Sequence, residues 1–183
     1  MIIYKGMNKD MICTMGKAPY QYKLGRTEKN DKAQCAGTGF HGCENPLDVL
    51  DWYGDHGGNR YFACRAEGDI HEDGKDKISC TELTPIKELT DIQLAFLGCQ
   101  FMQKHPDRGW NEIVKKERGE AYGKFVIVRG KHPKAKGKVG AALFLLKEKK
   151  KSNEIEYMTA FAVDNENIKE DTWYNWEGKE VSA

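Results

Sequence analysis

Apolar residues in this chain fall in short runs separated by polar turns, with only one extended stretch at helical spacing. Runs at 2–4, 61–66 and 78–86 have the β-branched and aromatic content of strands. Between them, Gly54-Asp55-His56-Gly57-Gly58-Asn59 has turn chemistry. One short helix interrupts this pattern over 44–53. There Asn45 can accept orphan amides as an N-cap, and Pro46 at the first helical position gives up no hydrogen bond. Leu47 and Leu50, with Val49 and Tyr53, would face the core.

Beyond residue 89 the period changes. Ile92, Phe96, Cys99 and Met102 recur at helical intervals, Thr90 and Gln93 have capping-box spacing, and His105-Pro106 stops the chain, which predicts a helix over 91–104. A shorter helix is expected over 111–118, closed by Gly119, with Ile113 and Val114 inward and Lys115, Lys116 and Arg118 outward. Strands are expected at 124–128, 139–146 and 154–163, joined by turns at Gly137 and Lys151-Ser152-Asn153. The expectation is therefore an α+β fold in two parts. Residues 1–89 form a β-rich N-terminal module with one short helix, and residues 90–183 supply bridging helices and antiparallel C-terminal strands.

Composition narrows the class. The chain has 183 residues, 31% of them charged, a mean hydropathy of −0.72, and no apolar run near the roughly 20 residues that a bilayer span needs. The opening residues carry no basic and apolar export signal, so a cytoplasmic location is expected. The six cysteines (Cys13, Cys35, Cys43, Cys64, Cys80 and Cys99) then read as reduced, buried small hydrophobes rather than disulfides. The closest approach to paired metal ligands is His41-Gly42-Cys43, with one intervening residue, so no metal site is expected. No Ser or Cys sits in a nucleophile motif and no phosphate-cradling glycine pattern occurs, so neither a catalytic residue nor a cofactor is expected.

Net charge is only +1, but its distribution is uneven. Residues 104–151 carry about +10, residues 152–183 about −6 and residues 1–103 about −3. The basic segment offers Lys115, Lys116, Arg118, Lys124, Arg129, Lys131, Lys134, Lys136 and Lys138 as a candidate face for a phosphate backbone. The acidic tail holds Trp173, Tyr174 and Trp176, large aromatics edged by charge that are candidate anchors for a protein partner. Alternation puts Trp173 and Tyr174 on opposite faces.

The segment 39–53, Gly-Phe-His-Gly-Cys-Glu-Asn-Pro-Leu-Asp-Val-Leu-Asp-Trp-Tyr, resembles the hallmark of a domain of unknown function common in phages and prophages. Tyr4-Lys5-Gly6-Met7, Arg60-Tyr61-Phe62, Gly68-Asp69-Ile70 and Ile86-Lys87-Glu88-Leu89-Thr90 match the same pattern in order, and the block from Val163 to Tyr174 is similar to the family's C-terminal segment. Many relatives carry a small-residue repeat where this chain has its basic segment. Within that lineage the chain resembles anti-CRISPR proteins directed at type II RNA-guided DNA nucleases. The resemblance implies a binding protein without catalysis, whose partner is the effector ribonucleoprotein, in contact with guide RNA or target DNA backbone. A different implication follows from Tyr4-Lys5-Gly6 and Gly39-Phe40-His41. A strand-borne Tyr beside a Gly-Phe-His turn is similar to the nucleotide pocket of ADP-ribosyltransferases. That enzyme would also need a carboxylate to stabilise its oxocarbenium-like transition state, and Glu67, Glu72 and Glu82 are the available ones.

Overall fold

A computed structural model describes every residue of the chain except 17, 55–57, 75 and 183. The described chain divides into two compact units, Met1–Thr90 and Asp91–Ala183. Strands dominate and helices are few, so the fold is β-rich, a coarser description than the α+β class expected from the sequence. No helix among the described residues is long and apolar enough to cross a membrane.

The first unit contains β1 (Ile2–Met7), β2 (Ile12–Cys13), β3 (Tyr20–Gln21), β4 (Glu28–Lys29), β5 (Phe40–Gly42), α1 (Val49–Trp52), β6 (Arg60–Glu72) and β7 (Ile78–Leu89). The long β6–β7 antiparallel pair is its spine, with β1 on one side of β6 and with β4 and β5 on β7. Pro85 lies on β7 opposite Cys64, beside a register shift at Ala63 and Cys64 where its missing N–H is tolerated. A second shift follows Glu67. There Gly68 has φ +73°, and an added Cβ would stand 2.1 Å from Thr81 Oγ1. Tyr4 and Cys43 exchange backbone bonds of 2.7 and 2.8 Å, so the strands close on themselves from β1 through β6, β7 and β5 back to β1. Ile3, Met7, Phe40, Phe62, Cys64, Cys80 and Leu83 fill the interior. After β5, the stretch expected as a helix over 44–53 is a 3₁₀ turn, Pro46–Asp48, followed by α1. Asn45 caps it by accepting from Leu47 N at 3.2 Å. Leu47, Val49 and Tyr53 are buried there, and Leu50 is half-buried. The expected turn after α1 includes 55–57, which lie outside the described residues.

The second unit contains α2 (Asp91–Lys104), β8 (Val114–Ala121), β9 (Phe125–Gly137), β10 (Ala142–Glu148), β11 (Ile155–Ala162) and β12 (Tyr174–Asn175). Two expectations are corrected. Residues 111–118 form no helix: Val114 onwards is a strand, because parallel pairing with β9 overrides the helical preference of its Lys, Glu and Arg residues. Gly119 allows that pairing, since a Cβ there would lie 2.8 Å from Val126 Cγ2. The C-terminal strands are also not uniformly antiparallel, for β8 and β10 both run parallel to β9, while β11 and β12 run antiparallel to their neighbours. The parallel pairs are linked by only 122–124 and 138–141, far shorter than the dozen residues of an ordinary crossover, so these strands must curl strongly. A register shift between Lys116 and Arg118 sets one bend, with Glu117 at φ +61°. The remaining helix, α2, packs on β9, β10 and β11 within its own unit. It buries Leu94, Ala95, Cys99 and Met102, while Ile92 and Phe96 stay exposed.

Candidate functional site

Alternation along β1 buries Ile3, Lys5 and Met7 together, which places a lysine where the pattern calls for an apolar residue. Lys5 is 6% exposed. Its Nζ donates to the His41 carbonyl at 2.6 Å and stands 5.2 Å from the centre of the Tyr22 ring. No carboxylate among the described residues pairs with it. Burying a cation without a counter-ion costs free energy unless something else supplies the charge.

Lys5 opens onto a cleft of about 620 Å³ in the first unit. Its described walls include Tyr4 and Gly6 on β1, Cys13, Met15, Tyr20 and Tyr22 on and around β2 and β3, Asn30 and Ala36-Gly37 ahead of β5, the Gly39-Phe40-His41 turn, and Trp52 and Tyr53 at the end of α1. Lys77, just before β7, completes it. The Tyr4–Cys43 bridge sets β1 against the turn, and pairing of Gly42 with Ile78 carries Lys77 alongside. Gly39 is required by its turn, with φ +91° and space for a Cβ only 2.5 Å from Ser79 Oγ. Gly6 is required by packing, because a Cβ there would meet Tyr53 Cβ at 2.5 Å.

The lining is aromatic and basic. Tyr20, Tyr22 and Phe40 form a cluster with centroids 4.9 to 6.0 Å apart, and Lys77 Nζ lies 3.8 Å from the centre of Trp52. Burial holds the His41 imidazole below its ordinary pKa, and the nearby Lys5 and Lys77 lower it further. Burial likewise raises the Tyr4 phenol. No Asp or Glu is among the described lining residues. Glu67, Glu72 and Glu82, the carboxylates available for transferase chemistry, all lie outside it, and Glu67 and Glu82 are engaged with Arg65 and Lys29.

Residues 1–95, more than half of the chain, match a domain of unknown function, DUF7666. The chain belongs to that family. No curated protein and no solved structure matches it. The DUF7666 match takes in the whole cleft lining and stops short of the basic segment.

The nine basic candidates do not form one open face. Arg129 is fully buried, and this corrects its assignment as a phosphate contact. Its Nε donates to Glu148 at 2.8 Å, its Nη2 donates to the Pro106 and Asn153 carbonyls, and its guanidinium lies 4.2 Å from the Trp110 ring centre. Lys131 is directed inward as well, to the Lys149 and Ser152 carbonyls and to Glu148. Lys124 pairs with Asp91, Lys136 with Glu120, and Lys138 with Asp171 and Glu170, while Lys134 donates to the Ser182 carbonyl. Lys115, Lys116 and Arg118 remain exposed on β8, with Lys115 Nζ donating to the Glu112 carbonyl.

The aromatic tail is largely structural. Tyr174 is 1% exposed and its hydroxyl accepts from Lys169 N at 3.0 Å, which corrects its assignment as a surface anchor. Trp176 stacks on Tyr157 at 4.4 Å, and half-buried Trp173 lies beneath Lys134 and Lys136. Sequence motifs gave Tyr4, Lys5, Gly6 and the Gly39-Phe40-His41 turn as a pocket. They did not give Lys77, Trp52, Tyr20 or Tyr22, whose place depends on strand pairing between distant segments.

Proposed function

We propose that the DUF7666 domain binds a small anionic ligand bearing a planar ring, of the nucleotide class, in a phage- or prophage-encoded protein that acts by binding. The observation that carries this reading is Lys5, a buried cation with no carboxylate partner among the described residues, lining an aromatic cleft. A cleft of about 620 Å³ falls within the size range of small-molecule sites. An anionic group at Lys5 offsets the cost of burying its charge, and a ring is accommodated by the aromatic walls. Calorimetric titration with adenosine monophosphate tests this. Binding is expected, with a loss of about tenfold or more in Lys5→Met, and absence of heat with a panel of purine and pyrimidine mono- and diphosphates would overturn it.

A second reading, stoichiometric block of a type II guide-loaded nuclease, is favoured by exposed Lys115, Lys116 and Arg118 on β8, which pairs only with β9 among the described residues. Such a cationic strand can meet a phosphate backbone, although lysines on an edge strand also prevent strand-to-strand aggregation. Loss of target cleavage near a one-to-one ratio, relieved by reversing those three charges, supports it. Full cleavage in excess protein across several effectors removes it.

A further inference from the structure

We infer that the anionic part of the ligand is a diphosphate, spanning Lys5 and Lys77 past His41; this deepens the nucleotide reading and rests on it. The cleft offers two separate cations, not one. Lys5 Nζ sits over Tyr22 and is fixed by the His41 carbonyl, whereas Lys77 Nζ sits over Trp52. Asp76, beside Lys77, accepts from Trp52 Nε1 at 3.1 Å, and no ion pair joins Lys77 to a described carboxylate. His41 lines the cleft with both: its carbonyl takes Lys5 Nζ, and its pairing with Ser79 sets Lys77 two residues away along the same chain.

A single phosphate at Lys5 leaves the second cation of the same carboxylate-free cleft without a counter-charge. Two linked phosphates answer both, and charge-assisted bonds at each end are stronger than neutral ones. Lysine recognises such groups as a point charge, without the planar fork of arginine, so it accepts either end of a diphosphate. Tyr20 lines the same cleft and is 39% exposed, which leaves an aromatic surface for the ring.

The test measures affinities of the full chain for adenosine diphosphate, adenosine monophosphate and inorganic pyrophosphate, in the wild type and in Lys77→Gln, Lys77→Arg and Lys5→Met. The diphosphate should bind about tenfold or more tighter than the monophosphate. That gap should close in Lys77→Gln and persist in Lys77→Arg. Equal affinity for the two nucleotides, both lost in Lys5→Met, overturns the diphosphate and leaves the nucleotide reading standing. A gap that survives in Lys77→Gln overturns the role given to Lys77. Pyrophosphate binding as tightly as the nucleotide supports the diphosphate site and removes the ring from the proposed ligand. Binding of none of the three overturns both.

Discussion

Glu117 closes the bend of β9 through Lys131: its carboxylate accepts the Lys131 amide at 2.8 Å and the adjoining His132 amide at 2.9 Å. Gly130 leaves room for it, since a Cβ there would lie 2.4 Å from Glu117 Oε1. Without the carboxylate, two strand amides lose their acceptor. Glu117→Ala should therefore lower stability by about 1–3 kcal/mol. The urea midpoint reads this, and an unchanged midpoint would mean that water serves the two amides equally well.

The Arg129–Glu148 pair is buried, and Glu148 also takes Lys131 at 3.1 Å. Removing one partner strands a charge in the interior. Glu148→Gln should cost about 3–5 kcal/mol, whereas the double replacement Arg129→Met with Glu148→Leu should recover much of that loss. Denaturation of the three proteins in parallel gives the comparison. Equal losses in the single and double variants would assign the site's contribution to packing alone.

Asp164 accepts backbone amides from Glu166, Asn167 and Ile168, and these bonds depress its pKa well below the ordinary carboxylate value. A depressed folded-state pKa gives stability that is fully present above the unfolded pKa of about 3.9 and is lost as pH falls through the folded value. Asp164→Asn keeps an acceptor and cannot titrate. Relative to that variant, the wild type should lose stability progressively below about pH 4. Parallel acid-denaturation curves for the two proteins would contradict this.

Burial raises the thiol pKa of Cys43 and Cys64 to about 12 and that of Cys80 to about 11, and it raises Cys99 too. Cys13 and Cys35 are half-buried. In the native protein at pH 8 a disulfide reagent should therefore titrate Cys13 and Cys35 first, and the other four only on unfolding. Fast reaction at Cys64 or Cys99, located by mass mapping, would show that the units open readily.

What the sequence disclosed follows from how local each signal is. Helix α2 was legible over Asp91–Lys104 because His105-Pro106 marks its end, but its packed face was legible only in its second half, at Cys99 and Met102. Leu94 and Ala95 are buried where Ile92 and Phe96 were expected, since the partner surface on β9 to β11 lies later in the chain. Strand β8 was read as a helix because Lys115 to Arg118 favour one in isolation, and only its partner β9 decides otherwise. Part of the cleft was legible as motif residues on β1 and the Gly39 turn, whereas Lys77 enters through the β5–β7 register. The charge asymmetry was plain, but Lys138 meeting Asp171 is a long-range pairing that composition does not reveal.

The curled strands of the second unit change what its parallel sheet demands of the unfolded chain. Val114 pairs with Ile127 and Ala142 with Phe125, so each parallel partner is near in sequence. Ordinary parallel sheets fold slowly because a long crossover must be ordered before its contacts form. Here the loop-closure entropy resembles that of a hairpin meander. The difficulty shifts to bending the strands, which makes the few residues around Glu117 and Gly130 the natural gate for forming the sheet.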